Sequence, residues 1–78
     1  MKNNAIIQST LGDLLEILDA RTNVYIFTRE YGSEGVIRTS TPVYGILSDT
    51  SFLKKYSAYK VIGLNKTIGS TSILIEEV

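Results

Sequence analysis

Thr10-Leu11-Gly12-Asp13-Leu14-Leu15-Glu16-Ile17-Leu18-Asp19 is followed closely by Asn23-Val24-Tyr25-Ile26-Phe27-Thr28-Arg29, and the apolar period changes between the two stretches. Leu11, Leu14, Leu15 and Leu18 stand at i, i+3, i+4 and i+7, which places four leucines on one helical stripe. Asp13, Glu16 and Asp19 fall on the opposite side. Thr10 and Asp13 have the T-x-x-D form of a capping box: the hydroxyl accepts from free backbone N–H groups, and the carboxylate faces the positive helix end. The helix fades by Ala20-Arg21, because Thr22 and Asn23 are poor interior helix residues. The second stretch is rich in β-branched and aromatic residues. Both of its alternating faces, Val24/Ile26 and Tyr25/Phe27, are apolar, the pattern of a central strand covered on two sides.

Beyond that strand, Tyr31-Gly32-Ser33-Glu34-Gly35 supplies turn residues and Val36-Ile37-Arg38-Thr39-Ser40-Thr41 reads as the returning arm of a hairpin. Pro42 ends or interrupts that arm, after which Val43-Tyr44-Gly45-Ile46-Leu47 can resume extended structure on an edge or after a bulge. Ser48-Asp49-Thr50-Ser51 offers N-caps for one or two helical turns over Phe52-Leu53-Lys54-Lys55-Tyr56. Tyr59-Lys60-Val61-Ile62-Gly63-Leu64 and Ser72-Ile73-Leu74-Ile75-Glu76-Glu77-Val78 read as a second hairpin. Ahead of the leucine stripe, Ala5-Ile6-Ile7-Gln8 is either a short first strand or an ordered lead-in. The order predicts a single α+β domain over residues 1–78: a small antiparallel sheet of four to five strands, one N-terminal amphipathic helix packed on one face, and a second short helix.

Composition narrows the function classes. A chain of 78 residues builds one core, and 44% hydrophobic with 21% charged residues is the balance of a folded globule. There is no Cys and no His, which removes thiol catalysis, imidazole acid–base chemistry, zinc sites and disulfide staples together. No enzyme activity and no cofactor are expected. Eight basic and eight acidic side chains balance, so no overall field draws the protein to nucleic acid or to an anionic membrane. The apolar run Ala5-Ile6-Ile7 is too short for a signal-peptide core or a membrane span, so a cytoplasmic protein without membrane contact is expected.

Few motifs carry chemistry. Asp13 and Glu16 are neighbours at i, i+3, but a solvated acidic face near a helix start is ordinary stabilisation. Gly63-Leu64-Asn65-Lys66-Thr67 lacks the Gly that a P-loop needs before its Lys and joins two strands, so it reads as a hairpin connection. Between Ser51 and Ile75 the chain holds Lys54, Lys55, Lys60 and Lys66 and no acid, with Tyr56 and Tyr59 among them. Lysines interleaved with aromatic rings can follow a phosphate backbone and stack bases, which makes single-stranded nucleic-acid binding the alternative function. Tyr25, Phe27 and Tyr44 lie in or near the first hairpin, and such rings are frequent in protein interfaces.

The run from Thr10 to Asp19, followed by Thr22-Asn23-Val24-Tyr25-Ile26, resembles the opening of short accessory proteins encoded by phages and integrated mobile elements of Gram-positive bacteria. Ser48-Asp49 and Tyr59-Lys60-Val61-Ile62 fit the same pattern, whereas residues 29–41 and Gly45 depart from it. The resemblance implies an intracellular protein that binds and modulates host machinery, such as a component of a defence system. It carries over no site residues.

Cover for the sheet is in short supply. Four strands are predicted for one full helix, so part of one face should stay open, with either Tyr25/Phe27 or Val24/Ile26 pointing outward. An open apolar face usually marks an interface, and two-fold dimers are the commonest outcome. A protein-binding module that forms a homodimer, with Tyr25, Phe27 and Tyr44 at the interface, is the expectation.

Overall fold

The computed structural model describes residues 9–77. The lead-in at residues 5–8 lies outside the described residues, as does Val78. Within them the chain forms α1 (Leu11–Ile17), β1 (Asn23–Glu30), β2 (Ser33–Pro42), α2 (Val43–Leu47), α3 (Thr50–Tyr56), β3 (Lys60–Thr67) and β4 (Ser70–Glu76). The α+β class therefore holds, with one short helix more than the sequence suggests.

Thr10 caps α1 as its spacing requires, its Oγ1 accepting from the Asp13 N–H at 3.3 Å. Leu11, Leu14 and Leu15 are buried, whereas Leu18 is already the extended C-cap, so the helix stops one stripe residue early. The first hairpin turns through Tyr31 and Gly32, both at positive φ (56° and 81°), the signature of a tight two-residue loop matched to strand twist.

Residues 43–47 are helical, not extended. Pro42 sits at the N-cap of α2, and Val43 and Ile46, three residues apart, point into the core. Five residues with apolar positions at that spacing satisfy either period, and packing decides for the helix. Asp49 caps α3, accepting from the Phe52 N–H at 3.1 Å, and also pairs with Arg38 on β2 at 2.6 Å. The Arg38 guanidinium lies over the Phe52 ring, 4.5 Å from its centroid. One carboxylate thus ties the helix start to the sheet, and that arrangement holds it below the usual carboxylate range: the Arg38 hydrogen bond contributes most, then the Phe52 N–H.

The strand order is β2-β1-β4-β3. β1–β2 and β3–β4 are the two expected antiparallel hairpins, but the inner strands β1 and β4 run parallel. The sheet is mixed, and the crossover explains why. α2 and α3 carry the chain from the end of β2 back to the level at which β2 began, so β3 must run in the same direction as β2. Each hairpin reverses its own partner, and β1 and β4 are left pointing the same way.

All three helices lie on one face. Leu11 and Leu15 of α1, Val43 and Ile46 of α2, and Phe52 of α3 join Val24, Ile26, Val61, Ile73 and Ile75 of the sheet in a single buried cluster. Backbone bonds tie the elements together: Gly12 N–H donates to Ser57 C=O at the end of α3, and Val43 N–H to Thr22 C=O ahead of β1, each at 2.9 Å. Among the described residues the two-sided cover suggested by β1 is not present, because the helices shield only the Val24/Ile26 side. No helix among the described residues is long and apolar enough to cross a membrane.

Candidate functional site: the helix-free face of the sheet

Alternation along β1 buries Val24, Ile26 and Thr28 beneath the helices and turns Tyr25, Phe27 and Arg29 to the other face. β4 repeats the pattern, with Thr71, Ile73 and Ile75 buried and Ser72, Leu74 and Glu76 turned outward. Since β1 and β4 pair in register, their outward residues stand level, and the outer strands extend each level into a row across the sheet.

Phe27 is the centre of the apolar row. It faces Val36 on β2 and Leu74 on β4, and Leu74 in turn faces Gly63 on β3. Gly63 ends this row without a side chain, and Leu74 closes on it: an added Cβ would meet the Leu74 Cβ at 3.3 Å. A shallow hollow of about 270 Å³ opens there, bounded by Phe27, Glu34, Asn65 and Leu74 among others. On one side of the apolar row Tyr25 is level with Ser72, and Ser72 with Asn65. On the other side stands a row of charges. Arg29 faces Glu34 on β2 and Glu76 on β4, and Glu76 faces Lys60 on β3. Arg29 forms a two-nitrogen contact with one Glu34 carboxylate oxygen, at 2.6 Å from Nη2 and 3.2 Å from Nε. That hydrogen bond, before any other influence, raises the guanidinium pKa further and keeps the group charged.

Of the interface residues expected from sequence, Tyr25 and Phe27 come together, half-buried, on this open face. Tyr44 does not join them: it belongs to α2, in the helix layer, and is 57% exposed. Val36, Leu74 and Gly63 complete the apolar row and were not singled out, because only strand register brings them level with Phe27.

The lysine–tyrosine set is divided. Lys54 and Lys55 are exposed on α3 and Lys60 begins β3, while Lys66 stands six residues along that strand, about 20 Å away at the usual rise. Phe52 of the core, Tyr56 and Tyr59 form a chain of rings with centroids 4.9 and 5.1 Å apart, the first pair tilted at 44° and the second edge-on at 75°. Lys55 lies over the Tyr56 ring at 5.2 Å. The Tyr59 hydroxyl donates to Glu30 at 2.9 Å, a bond that more than any other influence pushes the phenol up to about 12. These rings brace the helix layer against the sheet, with Tyr56 and Tyr59 half-buried.

Among the described residues no group of three or more acidic side chains gathers in metal-binding geometry. Comparison with protein-family models, with curated proteins and with solved structures finds no match to this chain.

Proposed function

We propose that the chain is a small, non-catalytic protein-binding module that works through the helix-free face of its sheet. The observation that supports this reading is the row Val36-Phe27-Leu74, apolar across three strands on a face that no described helix covers. A flat apolar strip beside a charged rim has the anatomy of a docking patch. In keeping with the resemblance of the first half of the chain, the partner is taken to be an intracellular bacterial protein, such as a defence component modulated by a phage or mobile element.

The test is affinity capture from a bacterial lysate, read by mass spectrometry, with wild type beside Tyr25→Ser and Phe27→Ser. A protein retained by wild type and lost with both variants supports the reading. Recovery of nucleic acid alone, released steeply as salt rises, would instead favour the lysine–tyrosine surface around Lys54, Lys55 and Lys60.

A further inference from the structure

We infer that the helix-free face closes on a second copy of the same chain, about a two-fold axis running parallel to the strands between β1 and β4. This rests on the reading of that face as a protein-docking surface and gives it a second copy as occupant, with which the bacterial partner proposed above would compete. A rotation about that axis keeps every row level with its own copy and reverses its order from edge to edge. The charged row reads Glu34, Arg29, Glu76, Lys60 from β2 to β3, minus, plus, minus, plus. Reversed, the signs become plus, minus, plus, minus. Glu34 then meets the partner's Lys60, and Arg29 meets the partner's Glu76, so every charge in the row faces its opposite.

The same reversal matches the other rows by size. Phe27 lies on the partner's Leu74, and Val36, 52% exposed, lies over the partner's Gly63, which brings no side chain of its own. Tyr25 lies on the partner's Ser72, large against small. A two-fold axis across the strands, centred on the apolar row, would instead set the charged row against Tyr25, Ser72 and Asn65 and leave its charges unmatched. Stacked sheets sit about 10 Å apart and turn about 30° to one another, which shifts contacts at the edge strands by about 3.5 Å, within reach of Lys and Glu side chains. β1 and β4 flank the axis and stay aligned.

Four strands about 4.8 Å apart and about seven residues long give a face of roughly 440 Å² in plan. Standard interfaces bury about 800 Å² per partner, so the dimer lies at the small end and should dissociate in the micromolar range.

Light scattering coupled to gel filtration, from low to high micromolar concentration, should show a reversible monomer–dimer equilibrium. Phe27→Asp should be a folded monomer throughout, and Val36→Asp, at an exposed edge position, gives the same readout if Phe27→Asp does not fold. Zero-length carbodiimide coupling should join Glu34 to Lys60 in the dimer. Within one chain these residues sit on opposite edges, about 14 Å apart at three strand spacings, too far for that bond. A monomer at every concentration overturns the inference, as does a dimer that persists in Phe27→Asp and Val36→Asp or whose two chains are coupled through other residue pairs. A monomer whose Phe27 variant loses a captured partner overturns the second copy and leaves the docking face standing. If neither association responds to Phe27 or Val36, both readings fall.

Discussion

Ile26 and Phe27 are chain neighbours on β1, and the assignment of an open face makes opposite demands on them. Ile26 is fully buried in the cluster between the sheet and the helices, and truncating such a residue removes transfer free energy and leaves a cavity, about 2–5 kcal/mol in all. A domain of this length has about 4–12 kcal/mol to lose. Each kcal/mol moves the midpoint of a 60–100-residue domain by about 4–8 °C, so Ile26→Ala should melt at least roughly 8 °C lower, or not fold. Phe27 rests on the bare sheet, where its ring touches cross-strand neighbours, and such pairs contribute only about 0.2–1 kcal/mol. Phe27→Ala should therefore lower the midpoint by a few degrees, with the slope against denaturant unchanged. The assay is thermal and urea unfolding followed by circular dichroism, at a concentration low enough to keep both variants monomeric. If Phe27→Ala costs as much as Ile26→Ala, its ring is packed beneath a second cover, and the open face does not exist.

Gly12→Ala should destabilise by about 1–2 kcal/mol despite the better helix propensity of Ala, because the new Cβ would stand 3.2 Å from the Ser57 Cβ and 3.3 Å from its carbonyl oxygen; calorimetry reads this directly. The Thr28 hydroxyl is buried without a hydrogen-bond partner, so Thr28→Val should stabilise by about 1 kcal/mol in urea unfolding. The Asp49 pKa is lowered on folding, so its contribution is present above the unfolded value of about 4 and is lost as pH falls through the folded one. Asp49→Asn, which keeps the cap, should be less stable at neutral pH and show a flatter acid limb in pH-dependent melts. The phenol of Tyr59 is raised to about 12, so its stabilising effect is complete below the unfolded value of about 10 and is lost as pH rises from there through about 12. Tyr59→Phe should remove that alkaline step from the stability profile and one late component from the phenolate absorbance titration.

Local patterns were legible and distant pairings were not. The leucine stripe and the Thr10 cap specify α1 because each contact spans no more than a turn of chain. Alternation in β1 separated Val24/Ile26 from Tyr25/Phe27, yet nothing within the strand says which pair the helices will cover. The parallel β1–β4 pair joins residues about fifty positions apart, beyond the reach of any local period. Tyr44 was grouped with Tyr25 because it lies near the hairpin in sequence, whereas the turn into α2 moves it to the other layer. The lysines are likewise close only in sequence, and the extended rise of β3 carries Lys66 away from Lys60. The row partners Val36, Leu74 and Gly63 needed the register of three strand pairs at once.

The bare face follows from the connections between strands. Both hairpins close through tight loops that stay at the sheet ends, and the longer connection, through α2 and α3, passes over the side where α1 already packs. No described segment crosses the Phe27 side, so its chemistry is set by the outward residues of the strands alone. Those residues are apolar in one row only, flanked by a charged row on one side and by Ser72 and Asn65 beside Tyr25 on the other. A patch this narrow stays within what a soluble monomer exposes, so dissociation need not lead to precipitation. Reversible docking needs that balance: enough apolar surface to favour contact, and charges whose order decides which partner, in which orientation, can make it.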